Sequence, residues 1–81
     1  MPHTITVRYY ALLREERGLE EESINTDAET AADLYEELLE QHGFSLTRKR
    51  LWVAINDEMS AWERTIEEGD TVVFIPPVAG G

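Results

Sequence analysis

The chain has 81 residues, of which 17 are acidic and 7 are basic, and its formal net charge at pH 7 is −10. This length suits one domain with one modest hydrophobic core. The acidic balance argues against binding to nucleic acid or to an anionic membrane, because both are bound mainly through Lys and Arg. Attraction to a basic protein partner and a solubilising surface are the two interpretations left for the charge.

Several kinds of site are missing from the sequence. There is no cysteine, which excludes disulfides and a thiolate nucleophile and fits a reducing compartment. The N-terminal residues do not resemble a signal peptide, and no apolar run is long enough to span a membrane, so we expect a cytoplasmic protein. His3 and His42 lack partners at metal-ligand spacing, and we expect this chain to bind no metal or cofactor itself.

The first predicted strand covers residues 4–10. Three residues at alternate positions would face the core: Ile5, Val7 and Tyr9. Tyr10 is then a large apolar group on the outer face, where it is either an ordinary exposed aromatic or a partner contact. A short helix is predicted over residues 11–17, ending at Gly18, and the acidic run 20–26 is typical of an edge strand.

One long helix is predicted after Thr30, whose hydroxyl and the nearby Asp33 resemble a capping box. The apolar residues that follow repeat at helical spacing: Ala31, Leu34, Tyr35, Leu38 and Leu39. Gly43 would end the helix. The glutamates outside this stripe favour a solvated face over a cation site.

A connection over residues 44–50 follows, and it carries three consecutive cations, Arg48–Arg50. A solvated loop is the favoured interpretation, and contact with phosphate or a nucleotide is the alternative. A strand over 51–56, a turn at Asn56-Asp57 and a short strand over 58–62 come next. The residues expected to face the core here are Val53, Ile55 and Trp62.

The last strand is predicted over residues 71–75. If Phe74 faces the core, Ile75 faces out at the point where the chain leaves the strand. Met59, beside the preceding turn, is also expected to be exposed. Strands on both sides of one main helix predict an α+β roll, a mixed sheet with the helix packed across one face. The first and last strands would be parallel neighbours at its centre.

The chain ends in a distinctive tail, residues 76–81, which reads Pro-Pro-Val-Ala-Gly-Gly. Pro76 and Pro77 cannot donate ladder hydrogen bonds and favour a stiff, extended exit. Gly80 and Gly81 lack a Cβ, so their backbone would fit a channel too narrow for side chains. A frayed terminus is the alternative.

We therefore divide the chain into a domain, residues 1–75, and a flexible tail, 76–81. The remaining reactive group is the terminal carboxylate of Gly81. Joined to AMP as a mixed anhydride, this carboxylate would become an acyl donor to a sulfur or amine nucleophile. A chain without cysteine has no internal thiol that could attack its own activated end.

The final segment, from Glu68-Gly69-Asp70 through Phe74–Gly81, resembles the C-terminus of the small, sulfur-carrying subunits of molybdopterin synthase. The resemblance extends to Val7–Ala11, Arg14–Gly18, the central helix and Val53–Asn56. It implies a ubiquitin-like β-grasp fold, in agreement with the predicted order of elements.

The resemblance also implies a role. An E1-like enzyme using ATP and Mg²⁺ would adenylate Gly81, which would then become a thiocarboxylate and donate sulfur to the cyclic pyranopterin precursor. The sulfur transfer would take place in the large synthase subunit, within a heterotetramer, and this chain would not be catalytic alone. The implied partner-binding residues are Tyr10, Met59, Ile75, Pro76, Pro77, Val78, Ala79 and Gly80.

Two other functions stay open. A ubiquitin-like modifier would use Gly81 to form isopeptide bonds with lysines, and related carriers serve thiamine synthesis or tRNA thiolation. Activated diglycine ends are common to all three.

Overall fold

The computed structural model describes residues 2–77. The elements in chain order are β1 (His3–Tyr9), α1 (Ala11–Arg17), β2 (Glu21–Thr26), α2 (Ala31–His42), a 3₁₀ turn (Arg48–Arg50), β3 (Trp52–Ile55), β4 (Glu58–Ser60) and β5 (Thr71–Ile75). The strands form one mixed sheet in the order β2-β1-β5-β3-β4. β1 and β5 are parallel, and the other neighbouring pairs are antiparallel. The predicted α+β roll and its central parallel pair are confirmed.

Helix α2 covers one side of this sheet, which we call the inner face. The side chains that fill the interface from the sheet are fully buried: Ile5, Val7, Tyr9, Val53, Ile55, Val72 and Phe74. From α2, the buried residues are Ala31, Leu34, Tyr35 and Leu38. The ring of Tyr35 meets that of Phe74 edge-on at 4.9 Å, which ties the helix to the middle of β5.

Local signals in the sequence fix the ends of these elements. The Thr30 hydroxyl accepts a hydrogen bond from the Asp33 backbone N–H at 3.1 Å, which caps α2. Gly43 ends α2 in the left-handed region, at φ 66°. Asn56 and Asp57 both have positive φ, 53° and 70°, as a two-residue hairpin turn between β3 and β4 requires.

Two expectations need correction. β4 ends at Ser60, so Trp62 lies outside the strand and is half-buried. The Trp62 carbonyl accepts a hydrogen bond from the Ala32 backbone N–H at the start of α2, which draws the chain out of the sheet. The connection 44–50 is also more ordered than expected, because Phe44 is buried in the core and Arg48–Arg50 form a 3₁₀ turn.

No helix within residues 2–77 is long and apolar enough to cross a membrane.

Candidate partner-binding face and tail exit

The side of the sheet opposite α2, the outer face, carries large apolar side chains that no element within residues 2–77 covers. Strand register places Met59 beside Ala54, Ala54 beside Val73, and Val73 beside Arg8. In the next row Trp52 lies opposite Ile75. We call Tyr10, Trp52, Met59 and Ile75 the outer patch.

The side chains of the outer patch are accessible, whereas the smaller residues between them on the same face are buried. Tyr10, Trp52 and Met59 are 41%, 55% and 62% exposed, and Ile75 is half-buried. Beneath them Ala54 and Val73 are buried. The patch is therefore a set of accessible apolar side chains on a rigid, packed sheet, which is the usual composition of a contact surface.

Tyr10 and Ile75 lie in one groove with Pro76 and Pro77, where the chain leaves β5; we call this point the tail exit. Both line a groove of about 660 Å³. The other lining residues are Ala11, Leu12, Glu15, Leu46, Arg50, Pro76 and Pro77. Pro76 is buried and Pro77 is exposed, so the backbone is held by packing up to the start of the exit. The outer patch and the tail exit are thus one continuous surface.

Met59 lies on the same face but does not line this groove. It is on the edge strand β4, two strands from β5. Trp52, on β3, lies between Met59 and Ile75 and joins them into one surface. Of the predicted partner residues, Tyr10, Ile75, Pro76 and Pro77 come together directly, and Met59 is connected through Trp52.

Trp52 was missed in the sequence analysis. The signal was present, because alternation along β3 places Trp52 on the face opposite Val53 and Ile55. Its neighbour across the sheet, Ile75, could not be read from the sequence without the strand register. Val78, Ala79, Gly80 and Gly81, which include the predicted reactive group, lie outside the described residues.

A partly buried polar cluster ties the end of α1 to β1 and β2. Arg17 donates two hydrogen bonds to the Glu22 carboxylate, at 2.8 and 2.9 Å, and the Tyr9 hydroxyl donates a third at 2.7 Å. The hydrogen bonds from Arg17 lower the pKa of the Glu22 carboxyl below its usual range. Burial, with the Glu22 carboxylate beside it, raises the pKa of the Tyr9 hydroxyl. This cluster holds α1, and with it Tyr10, against the sheet.

Catalytic chemistry is not evident in the part of the chain that the structure describes. Residues 2–77 contain no group of three or more His, Asp or Glu side chains arranged to hold a metal ion. The other strongly perturbed group, Tyr35, has its pKa raised to about 12 by burial and donates a hydrogen bond to the Leu46 carbonyl at 2.7 Å. This hydrogen bond holds the 44–50 connection against α2.

The model of the ThiS family matches residues 7–81, from the first strand to the diglycine terminus. The chain belongs to the ThiS family. It is 31% identical, over 80 residues, to the molybdopterin synthase sulfur carrier subunit of Haemophilus influenzae, a match that covers 95% of this chain and 99% of that protein. The sulfur-carrier resemblance seen in the tail is therefore confirmed over nearly the whole chain.

Comparison with solved structures identifies the fold. SAMP1 of Haloferax volcanii, a small archaeal modifier protein, superposes with a TM-score of 0.79 at 23% identity, over 96% of this chain and 99% of that one. A chain from the complex of subunits 1 and 2 of the Helicobacter pylori molybdopterin-converting factor gives a TM-score of 0.65 at 24% identity, over 96% and 99%. The ThiS-family chain thus has the ubiquitin-like β-grasp fold predicted above.

Proposed function

We propose that this chain is the sulfur carrier of a molybdopterin synthase. The observation that carries the proposal is the full-length similarity to a molybdopterin synthase sulfur carrier subunit, which includes the diglycine terminus. The geometry supports it: β5 lies between β1 and β3 at the centre of the sheet and delivers the chain to a tail exit beside an exposed apolar patch. We expect it to act in the cytoplasm.

The chemistry takes place at the Gly81 carboxylate. A carboxylate oxygen attacks the α-phosphorus of ATP in an E1-like enzyme with Mg²⁺, and pyrophosphate leaves. A sulfur nucleophile then attacks the acyl carbon of the adenylate and AMP leaves. Hydrosulfide gives the thiocarboxylate directly, whereas a persulfide donor gives an acyl disulfide, whose S–S bond a thiol then cleaves to leave the thiocarboxylate. In the large subunit the thiocarboxylate sulfur attacks the pyranopterin precursor, and water then cleaves the acyl C–S bond, which leaves the sulfur on the precursor and regenerates the carboxylate of Gly81.

The outer patch would dock on the large subunit while the tail enters that subunit's active site. The contact geometry supports this proposal, because Tyr10 and Ile75 line the same groove as Pro76 and Pro77. The Helicobacter pylori relative was solved in a complex of subunits 1 and 2 of its converting factor, which supports a two-subunit assembly. A heterotetramer with two carriers is the expected form.

Intact mass after activation tests the proposal. Purified chain is incubated with the activating enzyme, ATP, Mg²⁺ and a sulfur source. We expect a gain equal to the mass difference between sulfur and oxygen. The thiocarboxylated chain, mixed with the large subunit and precursor, should then form the dithiolene.

The matched control is a chain without Gly81. It should gain no sulfur, yet melt within a few degrees of the parent, since the tail lies beyond the last packed strand. An unmodified mass for the parent under these conditions would contradict the proposal, and a large loss of melting temperature on deletion would make the tail structural.

The modifier function is the second candidate, because the fold is shared with SAMP1. It predicts this chain linked through Gly81 to lysines of other proteins, whereas a dedicated carrier predicts free thiocarboxylate. Mass spectrometry of the chain isolated from its native cells separates the two. A carrier for thiamine or tRNA thiolation would give the thiocarboxylate too, and would fail in the dithiolene assay.

A further inference from the structure

The positive charges of this acidic chain are unevenly placed. The 3₁₀ turn Arg48–Arg50 holds three of its seven basic residues. Arg48 is engaged inside the molecule, since it pairs with Glu36 at 2.9 Å and its guanidinium lies 5.9 Å from the centre of the Trp62 ring. Lys49 and Arg50 are exposed, and neither forms an ion pair with another side chain of residues 2–77.

These two cations border the outer patch and the tail exit. Lys49 and Arg50 line a cleft of about 300 Å³ together with Trp52 and Pro77. Arg50 also lines the groove that holds Tyr10 and Ile75, where Glu15 is the acidic member. The edge of the patch nearest the exit is therefore basic, although the chain as a whole is strongly acidic.

A third cation lies on the outer face itself. Arg8 is on the central strand β1, next to Val73, and its guanidinium is 5.8 Å from the centre of the Tyr10 ring. Its Nε atom is buried and makes no hydrogen bond in the described part of the chain, but it lies 3.5 Å from a carboxylate oxygen of Glu21, with which Arg8 forms an ion pair. Because this atom is buried and Arg8 is already paired, carboxylates of a partner would meet the exposed Lys49 and Arg50 instead.

We propose that the protein surface docking on the outer patch is apolar at its centre and acidic at its border, with carboxylates that meet Lys49 and Arg50. This inference rests on the proposed function, which supplies the partner as the large synthase subunit. It opposes the expectation from net charge, under which a chain of −10 attracts a basic surface. Local charge decides here, because screening limits interactions between exposed charges to about 10 Å at 0.1 M salt.

Charge-reversal variants distinguish an acidic docking surface on the partner from a basic one. Lys49→Glu and Arg50→Glu are measured against purified large subunit by stopped-flow association at a series of salt concentrations. We expect each to lower the association rate constant about threefold or more at low salt, with the difference shrinking as salt rises. Arg64→Glu is the matched control, an equal charge change at an exposed site next to Thr65, which shares a cleft with His3 at the far end of β1. It should change the rate constant less than twofold.

Faster association of Lys49→Glu and Arg50→Glu would mean that the docking surface is basic, and would overturn the inference. Rates equal to the parent at every salt concentration would overturn it as well. Failure of the proposed function looks different: the parent itself would not bind the large subunit.

Discussion

The two faces of the sheet are built from the same strands but differ in what covers them. On the inner face Tyr9, Val53 and Phe74 are at most 1% exposed beneath α2. On the outer face their direct neighbours in sequence, Tyr10 and Trp52, are 41% and 55% exposed. Because side chains alternate along a strand, one short sequence serves stability on one face and recognition on the other.

Hydrophobicity alone therefore does not distinguish residues that stabilise the fold from residues that bind a partner. Phe74 and Ile75 are adjacent and both apolar, yet Phe74 packs against Tyr35 and Trp62 while Ile75 faces the tail exit. A mutation on the inner face should change the free energy of unfolding, and one on the outer face should change the free energy of binding.

The largest effect is expected from Leu38→Ala, on the inner side. Leu38 is 1% exposed in the middle of α2, and truncating a buried Leu costs about 2–5 kcal/mol of unfolding free energy. For a domain this small, that is a large share of the total. Urea denaturation measures the loss. Leu12→Ala, at a 41% exposed position, is the control and should cost far less; equal midpoints for the two variants would contradict the assignment of faces.

Ile75→Asp should be the strongest outer-face change. We expect it to weaken binding to the large subunit by about 2 kcal/mol or more, because it places a charge at the centre of an apolar contact. The isolated domain should stay folded, since Ile75 is only half-buried. Calorimetric titration gives the affinity. Thr65→Asp adds the same charge far from the tail exit and should bind normally. Unchanged affinity for both Ile75→Asp and Met59→Asp would leave the tail as the recognition element.

The two tryptophans of the chain form a matched pair across the sheet. Trp52→Ala should lower affinity for the large subunit by about 2 kcal/mol with little effect on stability, because exposed Trp side chains are frequent binding anchors. Trp62→Ala should do the reverse and cost about 1–3 kcal/mol of unfolding free energy, since its half-buried ring stacks on Phe74 at 5.9 Å. If both variants lost stability but kept their affinity for the large subunit, the outer patch would not be a binding surface.

Glu22→Gln should have the smallest effect, and one that depends on pH. The folded-state pKa of Glu22 is below its ordinary value of 4.5, so its ionised form stabilises the fold above that pH. This contribution is lost as pH falls through the lowered pKa. We expect Glu22→Gln to be about 1 kcal/mol less stable than the parent at pH 7, with the gap closing in acid. Melts at pH 7 and below pH 4.5 measure it, and a gap that widens in acid would contradict the network.

The sequence by itself determined the local features. Helical spacing predicted α2 with its cap at Thr30, alternation predicted the inward residues of β1, and Asn56-Asp57 predicted the hairpin. These succeed because periodicity, caps and turns depend on residues a few positions apart. The tail residues pointed to the family, and the full-length match confirmed it.

Contacts between residues that are distant in the chain could be read only from the tertiary structure. Strand register placed Trp52 opposite Ile75, and packing brought Arg50 of the 44–50 connection, expected to be a solvated loop, to the groove at the tail exit. Trp62 lies outside its predicted strand because its carbonyl accepts a backbone hydrogen bond at the start of α2. Each outcome depends on hydrogen bonds and contacts between segments far apart in the chain, and no local spacing encodes those partners.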